Sequence, residues 1–439
     1  MLLIKNCKLI LGEFKEAITG VIKDLESVQD IFIYNEKIIK IKSNLKIDES
    51  FLKKYNIENF DKESLEVIDA NFNYVIPGVI DVHTHMRDPG LTEKEDFTTG
   101  SKACAKGGVT TFIDMPNTIP QTTTEEFLKI KSQGAEGRSY VDYGFHFGGS
   151  NGDNSSEILK VKDRVASTKI FLNMSTGDML INNNSSLENI FKSSKIISVH
   201  AEGEKVEEAI KLGIAYDKPV YLCHISQESE VDIIKKYKSE IKEMNKKVKI
   251  YVEVAPHHLF LNEEIKNQSE LNKKLLIMKP ELKGAEDNKA LLQGIKDGVI
   301  DTIGTDHAPH TLKDKETKLT FGIPGVENSL EVMLNLVKRD EITLYRLTKL
   351  MSENPADIFE ISNKGRIQEG YDADLVILDM NNMYTISNKE VVSKCGWTPY
   401  NNFLTGGKVQ KTILRGHVVY SDNEFSNSLI GKEIEYNIL

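Results

Sequence analysis

The chain has 439 residues and a formal net charge of −10, with 40% hydrophobic and 28% charged residues. That length exceeds one small core and fits a large barrel or two domains, and the composition is that of a soluble globular enzyme. The negative balance excludes a non-specific nucleic-acid binder, and no apolar run reaches the ~20 residues that a membrane span requires.

The opening stretch MLLIKNCKLILGEFKEA is broken by charges too early for a signal peptide. Cys7, Cys104, Cys223 and Cys395 are scattered with no Cys-x-x-Cys, the pattern of reduced thiols in a cytoplasmic protein. Residues 1–74 read as β-rich. Ile31–Tyr34 and Ile38–Ile41, separated by Asn35-Glu36-Lys37, form a hairpin pattern. The polar segment from Ser43 to Glu66 reads as a loop with a short helix.

From Val75 short apolar runs alternate with helical stretches. The predicted strands are Val79–His83, Thr110–Asp114, Asp142–Phe147, Thr168–Asn173, Ile196–His200, Pro219–His224, Lys249–Ala255 and Val299–Asp306. Between them, Val231, Ile234, Tyr237, Ile241 and Met244 recur at helical spacing, as do Leu291, Leu292 and Ile295. Serial strand–helix units predict an α/β fold with a parallel (β/α)8 TIM barrel over 75–361. A doubly wound sheet would alternate in the same way. After Ser362 the pattern returns to β, with a strand over Leu375–Leu378 and a hairpin turning at Arg415-Gly416. Residues 1–74 and 362–439 are therefore expected to pack together as one small β-sandwich beside the barrel.

The stretch Asp81-Val82-His83-Thr84-His85-Met86-Arg87 closes an apolar strand. Side chains alternate along extended chain, so the two imidazoles point to the same side and make half of a zinc site. His83, His85, Lys169, His200, His224 and Asp306 all fall in or at the ends of predicted strands. In a barrel those ends converge on one mouth, where such folds do chemistry. A lysine inside the apolar run Thr168–Leu172 is costly unless paired or altered. If its amine adds CO2, the resulting carbamate can bridge two cations. Two zinc ions about 3.5–4 Å apart activate water at neutral pH, and an aspartate ligand can carry the proton to a leaving nitrogen. These parts make a hydrolase for an amide or cyclic amide.

Those residues resemble the amidohydrolase superfamily, and within it the dihydroorotases. The resemblance runs from about Pro77 to Asp374. It is densest over Asp81–Gly90, Lys94–Phe97 and Thr99-Gly100 and continues through Gly107–Thr118, with further matches at Glu253–Leu259, Asp306–His310, Gly322–Glu327 and Lys394–Trp397. It implies a first zinc held by His83, His85, Lys169 and Asp306. A second would be held by the same carbamylated Lys169 with His200 and His224. It further implies that Arg87, Asn117 and His310 bind the substrate carboxylate. Relatives carry Asn in an Asn-Pro-Pro segment where this chain has Met278-Lys279-Pro280, so Lys279 is expected to assist instead. His257, His258 and His307 are given no metal, and His146 and His417 no chemistry. The polar segment Asn173–Asn184 reads as a loop over the mouth.

The implied reaction is the interconversion of N-carbamoyl-L-aspartate and L-dihydroorotate in pyrimidine biosynthesis, with Asp306 as proton shuttle. Another cyclic amidohydrolase, a hydantoinase or allantoinase, is the nearer alternative, and a non-catalytic scaffold relative the further one. The resemblance also implies a homodimer and an association with aspartate transcarbamoylase.

Overall fold

The computed structural model describes residues 1–17, 19–57, 65–175 and 179–437. Its centre is a run of parallel strands. These are Val79–Thr84, Val109–Asp114, Asp142–Phe145 continued by Phe147–Gly148, Thr168–Phe171, Ile197–His200, Val220–Leu222, Ile250–Val254 and Thr302–Ile303. Each pairs in parallel with the next, from Ile80 against Thr111 through to Val254 against Ile303. The third strand is interrupted at His146, whose ring bonds Val82 O and Ser167 Oγ at 2.9 and 2.8 Å. Thr84 bridges His307 in parallel, and the amide of His85 donates to His307 O at 2.7 Å. That contact joins the last strand to the first, so the sheet is a closed (β/α)8 barrel and not an open doubly wound one.

Helices pack outside with an apolar stripe turned inward. On Glu228–Glu243 the stripe is Val231, Ile234, Tyr237 and Ile241, all buried. Met244, expected in that stripe, lies at the helix C-cap and is exposed, because the helix has ended there. On Ala285–Lys296, Leu291 and Ile295 are buried. The chain end closes the opposite side of the barrel. Glu433 bridges Tyr143 and Tyr436 bridges Ile361, while Phe359 and Ile434 join the interior cluster of Ile80, Val82 and Tyr221. The C-terminal strand ends are left as the accessible mouth.

The two ends of the chain do build one β domain. Among the described residues its sheet runs Glu424–Phe425, His417–Ser421, Lys408–Leu414, Leu375–Asp379, Tyr74–Pro77, Leu2–Lys15, Ile22–Tyr34 and Lys37–Lys42, with Glu66–Asp69 also on Leu2–Lys15. The sheet curls until Lys37 bridges Asp372, enclosing Ile4, Ile31, Val75, Leu375, Ile377 and Ile413. The sandwich is thus one sheet folded over itself. Both expected hairpins form. Their turn residues take left-handed backbone, with φ of 48° and 66° at Asn35-Glu36 and of 46° and 79° at Arg415-Gly416, as tight two-residue turns require. Gly78 carries the chain from this sheet into the barrel. A Cβ there would lie 2.1 Å from Thr110 Oγ1, so only glycine fits the close passage.

The expected helix in the polar N-terminal segment is Glu49–Lys54, capped by Asp48; residues 58–64 of that segment lie outside the described residues. In the expected mouth loop, residues 176–178 also lie outside them. Beyond that gap Met179 and Ile181 are buried, and Ile181 N donates to Phe171 O at 3.0 Å. No helix among the described residues is long and apolar enough to cross a membrane.

Candidate metal centre and active site

Strand ends deliver the polar side chains. His83 lies in the first barrel strand and His85 just past it, Lys169 lies in the fourth, and His200 ends the fifth. His224 and Asp306 follow the sixth and eighth strands and turn with left-handed φ of 37° and 45°. Non-glycine residues adopt that conformation at a cost, and it persists where surroundings hold it. All six line one cavity, together with Phe171, Ser175, Lys279 and Phe321.

The ligand atoms of His83, His85 and Asp306 lie within 4.8 Å of one another. The Nε2 atoms of His83 and His85 are 3.2 and 3.0 Å from Asp306 Oδ1. Each ring is oriented from behind, where an acceptor oxygen fixes the proton on Nδ1. His83 Nδ1 donates to Glu253 Oε1 at 2.8 Å, and His85 Nδ1 to Asn117 Oδ1 at 2.7 Å. Across the cavity His200 Nδ1 and His224 Nε2 are 3.0 Å apart. Lys169 is buried, and its Nζ donates to Cys223 Sγ at 2.9 Å. Asp81 braces the floor by accepting from Thr305 N and His83 N at 3.0 and 3.2 Å, tying the first strand to the eighth.

Electrostatics are consistent with a cation site. Burial disfavours charge on Asp306, yet His83, His85 and His224 outweigh it and hold its pKa well below the carboxylate range. Burial likewise opposes charge on His83, but Glu253 and Asp306 raise its pKa well above the imidazole value. Burial lowers His85 to about 4, and lowers His200 and His224 as well. Neutral His85, His200 and His224 and the ionised Asp306 are in the protonation states that metal ligation needs, whereas His83, held cationic by Glu253 and Asp306, would give up its proton to a bound cation. Among the described residues His224 Nδ1 is buried without a hydrogen-bond partner, and His200 Nε2 lies 3.4 Å from Glu202 Oε1. The His, His, Asp set suits a borderline divalent cation such as zinc, and the residues present therefore fit a metal centre.

Of the residues expected at the carboxylate end, Arg87 and His310 come together while Asn117 lies behind His85, and none of the three is among the side chains that line the cavity. Arg87, with φ of 61°, donates through Nε to Pro309 O at 3.2 Å, and its Nη2 lies 3.4 Å from His310 Nε2. Burial lowers Arg87 only to about 10, so it stays cationic. His310 Nε2 donates to the Phe321 carbonyl at 3.0 Å, and burial with Arg87 nearby pushes the pKa of that ring down to about 3. Trp397 Nε1 holds the His310 carbonyl at 2.8 Å. Lys279 borders the cavity, though its ammonium pairs with Glu281 at 2.9 Å.

Sequence reasoning quoted Glu253 without giving it a role. Its carboxylate accepts from His83 Nδ1 and His224 N, each at 2.8 Å, and from the Tyr221 hydroxyl at 2.9 Å. The available signal was an acid in the apolar run Val252-Glu253-Val254, since a buried carboxylate needs donors. Cys223, set aside as a simple thiol, contacts Lys169.

Comparison with known proteins places this geometry in a family. A profile of the amidohydrolase family matches residues 74–419. The chain is 32% identical to the dihydroorotase of Methanosphaera stadtmanae, covering 96% of this chain and 97% of that one. It is 34% identical to the dihydroorotase of Pyrococcus horikoshii over 92% and 94% of the two chains. It is also 34% identical to multifunctional protein CAD of Squalus acanthias, covering 80% of this chain but 15% of that one. Among solved structures, an L-hydantoinase from Arthrobacter aurescens superposes with a TM-score of 0.86 at 27% identity, covering 99% of both chains. The chain belongs to the amidohydrolase family and, within it, to the dihydroorotases.

Proposed function

We propose that this chain interconverts N-carbamoyl-L-aspartate and L-dihydroorotate at a binuclear zinc centre, as a cytoplasmic enzyme of pyrimidine biosynthesis. His83, His85, Asp306 and a carbamylated Lys169 would hold one cation, and the same lysine with His200 and His224 the other. When bound, such a pair lowers the pKa of water and polarises an amide carbonyl. The observation that carries the reading is the convergence of the His83, His85 and Asp306 ligand atoms beside the buried guanidinium of Arg87.

The chain's own groups then divide the work. Arg87 meets the ring carboxylate as a planar fork, with Asn117 and His310 at the same end and Lys279 at the rim. In hydrolysis Asp306, ionised at neutral pH, takes the proton released as water attacks the ring carbonyl. It delivers that proton to the ring nitrogen as the carbon–nitrogen bond breaks. Ring closure uses the same groups in reverse and consumes a proton, so lower pH favours it. A homodimer and a physical association with aspartate transcarbamoylase belong to the same proposal, and co-elution of purified proteins checks both.

The test is hydrolysis of L-dihydroorotate beside dihydrouracil, hydantoin and allantoin, with metal content read on the same sample. Preference for dihydroorotate with about two metals per chain is expected. Preference for an uncharged ring at the same metal content would overturn the carboxylate roles and leave a hydantoinase-like activity.

A further inference from the structure

Lys131 is the feature that neither the fold nor the chemistry above requires. It lies on the helix Glu125–Ala135 within the buried stripe Leu128, Lys131, Ala135, where a leucine would complete an ordinary helix–barrel contact. Its side chain and that of Asp114 are both fully buried, with Nζ 2.6 Å from Asp114 Oδ2. Burying such a pair gains little stability over an apolar one, so its value lies in what it holds in place.

The pair holds two backbone segments. Asp114 Oδ1 accepts the amide of Met86 at 2.6 Å, immediately before Arg87 with its left-handed φ of 61°. Lys131 Nζ donates to the carbonyl of Met115 at 2.6 Å, two residues before Asn117. One ion pair thus grips the loop after the first strand and the loop after the second. Without Lys131, Asp114 would be a buried carboxylate stripped of its ion-pair partner, with the Arg87 guanidinium as a countercharge that makes no hydrogen bond to it among the described residues, and it could protonate or turn away from Met86. The Arg87 turn would lose the bond that fixes its entry.

We infer that Lys131 and Asp114 are positioning residues that set the spacing of Arg87 and Asn117, and so determine selectivity for a substrate bearing a carboxylate. This inference rests on the carboxylate roles proposed above for those two residues. Both act through the backbone they hold, Asp114 on the Met86 amide and Lys131 on the Met115 carbonyl.

The test compares the wild-type holoenzyme with Lys131→Met and Asp114→Asn. For each, metal content is read with kcat and KM for L-dihydroorotate and with the inhibition constant of dihydrouracil, the same ring without the carboxylate. The expected result is full metal content, kcat within about threefold, KM for dihydroorotate raised about 10–100-fold, and an unchanged dihydrouracil constant. Equal weakening of both rings, or an unchanged KM, overturns the inference. If Lys131→Met does not fold, Asp114→Asn carries the test, because one amide oxygen can serve Met86 or Lys131 but not both. Arg87→Met separates the two levels. If it weakens both rings equally, the carboxylate reading itself fails. If it weakens only dihydroorotate while the Lys131 and Asp114 variants change neither, the positioning inference alone fails.

Discussion

Asp306 meets two demands with one carboxylate: it faces His83 and His85 through Oδ1, and it must also accept a proton. Asp306→Asn keeps the volume and one oxygen but removes the basicity, so turnover of dihydroorotate should fall by about 10²–10⁴-fold, the usual share of a positioned proton carrier. Steady-state assays with metal analysis check it; turnover near wild type would move the proton elsewhere. Lys169 makes a second, independent case. Its ammonium is buried against the Cys223 thiol and the Phe171 ring, 2.9 and 5.1 Å away, a costly place for a charge that is not chemically used. Lys169→Ala should lose most bound metal and activity, and added short-chain carboxylic acid should restore part of both; a fully active variant would remove the carbamate from the mechanism. At this scale the sequence was most informative where a polar residue interrupts an apolar run, as at His83, Lys169 and His200. Glu253 and Lys131 interrupt such patterns too. Their meaning depends on partners from other strands, His83 for one and Asp114 for the other, which no local spacing encodes.

Among the elements, the helix Ser329–Lys338 shows how the barrel meets the terminal sheet. Glu331 on its inner face accepts Val409 N at 2.9 Å and the Tyr384 hydroxyl at 2.6 Å. Burial dominates these donors and pushes the Glu331 pKa from 4.5 up to about 7. The folded state therefore holds this proton more tightly than the unfolded chain. Its contribution is complete below about pH 4.5 and fades as pH rises through about 7, a loss of about 3 kcal/mol. Glu331→Gln keeps an acceptor for Val409 and cannot ionise, so its urea midpoint should lack that decline, and the gap over wild type should be widest above pH 7. Parallel pH profiles for the two proteins would reject the assignment. The barrel strands were legible because each is an apolar run ending in a turn. The eighth was expected over Val299–Asp306 but is a short ladder at Thr302–Ile303, because the chain leaves extended geometry at Asp306 to aim its carboxylate inward.

At the scale of the whole molecule, a buried ionic joint fastens the terminal β domain to the barrel. Lys364 Nζ lies 2.8, 3.2 and 2.6 Å from Asp142, Asp372 and Asp374. Arg415 pairs with Asp142 and its amide donates to Asp374 Oδ1 at 2.8 Å, while Lys432 N donates to Asp142 Oδ1 at 2.8 Å. Asp142 opens the third barrel strand, Asp374 and Arg415 belong to the terminal β domain, and Lys432 lies on the tail beneath the barrel. That both chain ends form one domain followed from the β patterns flanking the alternating centre. That they lock to the barrel through charge did not, because each residue alone reads as a surface lysine, arginine or aspartate in a turn. Three carboxylates around one lysine set the expected outcome. Lys364→Met would leave Asp142, Asp372 and Asp374 crowded, with Arg415 on Asp142 and Lys37 on Asp372 as the remaining countercharges. Breaking a buried pair in this way typically costs about 3–5 kcal/mol. Equilibrium urea unfolding at pH 7 should show that loss. Because the joint lies at the opposite end of the barrel from the metal ligands, the folded variant should keep its metal content and its KM for dihydroorotate. A loss below about 1 kcal/mol, the range of exposed pairs, would mean that Arg415 and Lys37 suffice and that Lys364 is not what fastens the β domain to the barrel.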